Sequence, residues 1–158
     1  MRVAFGLKAH SGWATLVAVS QEFEIIDRRR IELADDRGSE WPGQPYHAAE
    51  GLPASQARSI VKSAINQARR LALSEMRAAV KCARDSRHDI AACAVLTPAP
   101  MPDWSTEEIL AVHFRMHKAE GVLYPDALCR AAETCGLKVA AITEKSLREC
   151  AEQALASR

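Results

Sequence analysis

The sequence predicts an α/β fold: a mixed five-stranded sheet with helices on both faces, in the element order β-β-β-α-β-α-β-α. Three observations lead there. The chain opens with three short runs rich in β-branched and aromatic residues, the first two joined by a tight polar turn. A long stretch from Pro53 to Arg84 then repeats apolar residues at the three-and-four spacing of a helix. Beyond it, two continuous apolar runs of strand length are each followed by a helical segment, the pattern of parallel strands joined by crossovers.

Arg2 to Leu7 and Trp13 to Val19 form the opening hairpin, with Gly12 supplying the positive φ that the turn Ala9-His10-Ser11-Gly12 requires. A third strand covers Phe23 to Leu33, where apolar and charged residues alternate toward its end and indicate one wetter face. From Ala34 to Leu52 the prolines and glycines resist regular structure, so an irregular loop is expected at about 34–52. The helix from Pro53 carries Ala57, Val61, Ala68, Ala72 and Val80 on a single stripe.

Ile90 to Leu96 reads as the central parallel strand. It is stopped by Thr97-Pro98-Ala99-Pro100, and Ser105-Thr106-Glu107-Glu108 then has the form of a capping box at a helix start. That helix is expected to reach Cys135 with a bend near Gly121 and Pro125, because proline removes a helical hydrogen bond, and to end at Gly136. Leu137 to Ile142 makes the last strand and Thr143 caps the last helix.

The chain has 158 residues, 48% of them hydrophobic and 26% charged, with a net charge of +1. One domain, residues 1–158, suffices for that length. The balance gives no global attraction to nucleic acid or membrane, so any polyanion affinity must be local. Five cysteines without a C-x-x-C pair point to reduced thiols and a cytoplasmic protein. No apolar run approaches the ~20 residues that span a bilayer, so no membrane partner is expected.

The element order, together with "GLKAHSGWATLVAV" (Gly6 to Val19) and "HKAEGVLYPDALCRAAETCGLKVAAI" (His117 to Ile142), resembles the ribonuclease-H-like superfamily, nearest in pattern to the RuvC-type Holliday-junction resolvases. Gly6, Leu7, Ser11 and Gly12 fit that family's first hairpin. The resemblance implies carboxylates at adjacent strand ends that hold two divalent metals and activate water for phosphoryl displacement. Carried over by position, the first acid falls at Lys8 and the acid after the fourth strand at Thr97. Only Glu144, with Glu149 and Glu152 on the last helix, offers carboxylate, and an ammonium at Lys8 opposes cation binding. The implied function is a domain that has lost the metal-binding acids and serves as a binding or assembly module, with no cofactor. The actin-like ATPases share the fold and cradle phosphate with a similar hairpin, which suits Lys8, Ser11 and the N–H groups near Gly12 to an anion; with His10, Thr97 and Glu144, Lys8 and Ser11 make up the candidates for a ligand or anion site. The alternative is an enzyme with altered hydrolytic or transfer chemistry around Lys8, His10 and Thr97, which His47 and Ser11 would join if the long loop folds over the strand ends.

Two further groups stand out. His113, His117 and Glu120 share a helical face and are weak metal candidates, against the plainer reading of a polar helix side. Between Ser55 and Arg87 eight basic residues, among them Arg58, Lys62, Arg69, Arg77 and Lys81, face two acidic ones. A rod of that charge suits phosphates or an acidic partner, and equally a solvated surface. At ~1.5 Å per residue the helix would be about 45 Å long, more than the domain needs, so part of its stripe is expected to meet a second copy in a homodimer.

Overall fold

The computed structural model describes residues 1–156. Three antiparallel strands lead, β1 (Arg2–His10), β2 (Trp13–Ser20) and β3 (Ile25–Glu32), followed by α1 (Pro45–Ala49), α2 (Ala54–Asp85) and β4 (Asp89–Thr97). Then come α3 (Thr106–Leu110), α4 (His113–Thr134), β5 (Val139–Thr143) and α5 (Glu144–Ala156). The sheet order is β3-β2-β1-β4-β5, with β4 parallel to both β1 and β5. The strand ends carrying Lys8, Thr97 and Thr143 therefore lie side by side.

Strand alternation sorts the sheet into two unlike faces. Val3, Phe5, Leu7, Ala14, Leu16, Cys93 and Val95 are buried beneath both long helices, α2 through Ala68, Ala72, Met76 and Ala79 and α4 through Leu123, Ala127 and Leu128. The other face carries Ala4, Gly6, Thr15, Val17, Ala94 and Leu96. Among the described residues only α5 reaches it, placing Leu147 beside Leu96 and Ile142, and none of its described residues is buried. Helices thus lie on both faces but cover them unequally: α2 and α4 bury one face, while α5 meets the other through Leu147.

Two local expectations change. The loop at 34–52 is not wholly irregular, because Pro45 at the first helical position starts α1. The helix after Ser105 runs unbroken through Gly121 and Pro125. It divides earlier, after the capping box of Ser105 and Glu108, where Val112 adopts an extended conformation (φ −138°) and separates α3 from α4. Pro125 stays inside α4 and is buried.

The stripe of α2 is longer than the sheet it crosses, and the surplus is covered within the chain. Ala57 and Val61 pack with Tyr46 and Ala49 of α1, Ile109 of α3 and Met116 and Ala119 of α4 in a second core cluster. The apolar excess that pointed to a homodimer through this helix is met by α1, α3 and α4. Among the described residues no helix is long and apolar enough to cross a membrane.

Candidate functional site

The hairpin turn and the loop after β3 are locked together by a close backbone approach. Gly12 takes φ 81° and its carbonyl accepts from the N–H groups of Leu33 and Ala34 at 2.8 and 3.0 Å. Gly43 lies against it: a Cβ there would stand 2.5 Å from Ser11 C and 2.6 Å from Gly12 N. Asp36 Oδ2 accepts from Gly43 N at 2.6 Å, and Tyr124 Oη of α4 donates to the Gly43 carbonyl at 2.9 Å. The loop is thereby fastened to the hairpin on one side and to α4 on the other.

Beside this junction, at the carboxyl ends of β1, β4 and β5, is a cleft of about 370 Å³. Lys8, Thr97, Thr143, Glu144 and Lys145 supply its polar wall, and Leu96, Pro98, Gly121 and Pro125 line the remainder. Lys8 Nζ and Glu144 Oε1 are 2.8 Å apart, both half-exposed. The hydrogen bond from Lys8, reinforced by its charge, holds the Glu144 carboxyl below the usual range.

This donor set does not fit a pair of divalent metals. Mg²⁺ and Mn²⁺ take oxygen ligands, chiefly carboxylates. The cleft offers one carboxylate, two threonine hydroxyls and two ammonium groups, and its carboxylate is already paired with an ammonium.

The sequence candidates separate into distinct places. Lys8, Thr97 and Glu144 meet in the cleft. His10 does not line it: the ring stacks on Trp13 with centroids 4.0 Å apart, and Arg30 lies 4.1 Å over the same indole. Ser11 is exposed at the turn beside Gly43. His47 does not join Lys8 and Ser11, because α1 carries it to α4, where it meets His113, His117 and Glu120.

There Glu120 is not a third member of an exposed face. It is 8% exposed, and its Oε1 accepts from the N–H groups of Tyr46 and His47 at 3.1 Å each, while Oε2 lies 2.8 Å from His47 Nδ1. The continuous α4 keeps His113 and His117 one turn apart, with their Nε2 atoms at 3.0 Å. His47 was missed as their partner, since nothing in the sequence links positions so distant. The one local signal is Pro45, which starts the short helix that presents it.

The basic side chains of α2 are exposed, and three of the five candidates are engaged within the chain. Arg58 pairs with Glu107, Arg69 with Asp126 at 3.4 Å and Lys81 with Asp85 at 2.5 Å. Lys62 and Arg77 remain as exposed charges outside these pairs.

Among solved structures, the chain is similar to RuvC of T. thermophilus, described in complex with a Holliday junction substrate. Identity is 12% and the TM-score 0.44, over 94% of this chain and 69% of that one. No family model matches the sequence, and no curated protein does.

Proposed function

We propose that the chain is a non-catalytic binding module on a ribonuclease-H-like fold, in which the strand-end cleft takes the anionic group of a ligand in place of a metal pair. The observation that carries this reading is the Lys8–Glu144 ion pair, 2.8 Å long, on the floor where the resemblance calls for metal-binding acids. Element order and the meander followed by parallel strands support the fold assignment. Lys8 and Lys145 provide positive charge, and Thr97 and Thr143 provide hydroxyl donors from two neighbouring strand ends. Binding at the carboxyl ends of parallel strands is the general habit of open α/β sheets. The reading rests on the cleft rather than on α2, because Glu107, Asp126 and Asp85 already engage part of the basic helix surface.

Titration with inorganic phosphate, followed by amide chemical shifts, tests it. Saturable shifts at Lys8, Thr97 and Lys145 that vanish in Lys8→Ala are expected. Shifts that persist in Lys8→Ala, or none at all, contradict it.

A further inference from the structure

We infer that His47, His113 and His117 form a Zn²⁺ site, with Glu120 as the positioning residue behind His47. Each histidine offers one ring nitrogen, and the three nitrogens lie within 4.8 Å of one another. Zinc bound tetrahedrally at about 2.1 Å from each imidazole needs its ligand atoms about 3.4 Å apart. The cluster is therefore within small side-chain rotations of that geometry, on a backbone already fixed by α1 and α4.

The arrangement around His47 favours a metal over a chance grouping of imidazoles. Its side chain is 4% exposed, and its Nδ1 is turned to Glu120 at 2.8 Å, which leaves Nε2 as the nitrogen free to take a metal. A carboxylate on the far nitrogen is the usual support of a zinc-bound histidine, since it fixes the tautomer and raises the basicity of the ligating nitrogen. Trp41 stacks on the same ring with centroids 5.1 Å apart and restricts its rotation. His113 and His117 have the opposite condition: both are exposed, and their Nε2 atoms face each other at 3.0 Å, where one proton must be shared between two acceptors. A cation between these nitrogens and His47 satisfies all three lone pairs at once.

Three neutral imidazoles select borderline metals such as zinc over Mg²⁺ or Ca²⁺, which require oxygen. Three protein ligands with two exposed rings leave the fourth position to water. The site is separate from the strand-end cleft, which none of the three histidines lines, so neither reading depends on the other.

The test is equilibrium dialysis of the full chain against ZnCl₂, with Co²⁺ absorption reporting geometry. One zinc per chain is expected, with a rise in melting temperature on loading and a tetrahedral cobalt spectrum. His113→Ala and His117→Ala, at exposed positions that leave the core intact, each remove stoichiometric binding. Glu120→Gln keeps the one-to-one ratio and weakens affinity about 10–100-fold. Lys8→Ala and Glu144→Ala leave zinc binding unchanged. The inference is overturned if the full chain takes up no stoichiometric zinc, or if uptake survives in His113→Ala and His117→Ala, which would place the metal on cysteines instead.

Discussion

Lys8 at the end of β1 and Glu144 at the start of α5 meet across the strand-end cleft at 2.8 Å, joining two segments far apart in the chain. Because Lys8 holds the Glu144 carboxyl below its ordinary range, the carboxylate is favoured more in the folded chain than in the unfolded one. The pair's contribution is therefore present above the unfolded carboxyl value and is lost as pH falls through the lowered folded one. In Lys8→Ala, an NMR titration of the Glu144 side chain should return the midpoint to the ordinary glutamate range. Both groups are half-exposed, so the melting temperature at neutral pH should hardly move.

Gly43 is where the loop touches the hairpin most closely. Gly43→Ala would place a Cβ 2.5 Å from Ser11 C, against backbone that cannot swing aside, and would do so at φ 71°. A loss of about 2–4 kcal/mol is expected. Gly38 and Gly51 also have positive φ but have nothing within 4 Å. Gly38→Ala and Gly51→Ala should each cost only about 1 kcal/mol, the conformational part alone. Urea unfolding of the three variants separates overlap from backbone strain.

Tyr124 Oη anchors the same loop to α4 through the Gly43 carbonyl at 2.9 Å. Tyr124→Phe leaves that buried carbonyl without its donor, at a cost of about 1–3 kcal/mol. Amide exchange should accelerate at Gln44 to Ala48 before it does in the central strands.

All five cysteines are free thiols, and burial divides them. Desolvation pushes the Cys93 thiol up to about 12, whereas Cys82 and Cys150 are exposed. At pH 8, iodoacetamide should modify Cys82 and Cys150 in the native chain and Cys93 only after unfolding. The folded chain holds the Cys93 proton more tightly than the unfolded chain does. Its contribution is thus whole below the unfolded thiol value and declines as pH rises from about 9 toward 12, a slope that Cys93→Ala should reduce.

Much of the fold was legible because its signals are local. Gly12 at the turn, the Ser105–Glu108 capping box, the stripe of α2 and the apolar run of β4 each act within a few residues. What escaped depends on distant partners. Pro125 sits buried inside the continuous α4 despite its local cost, and the N-terminal stripe of α2 is covered by α1, α3 and α4. In the site, Lys8, Thr97 and Glu144 meet because the parallel register of β1, β4 and β5 aligns their ends. The partnership of His47 with His113 and His117 had no sequence signal beyond Pro45 starting α1, since it follows from how α1 packs on α4.

The most direct test of the strand-end cleft as a site that Lys8 has closed to metals is Mn²⁺ titration of the His113→Ala/His117→Ala chain, which removes the histidine cluster from the experiment. Paramagnetic broadening is read at Thr97 and Glu144. The account predicts no saturable broadening at either residue up to millimolar Mn²⁺, and its appearance only when Lys8 is replaced by aspartate. Saturable broadening in the chain that retains Lys8, abolished by Glu144→Ala, would contradict it.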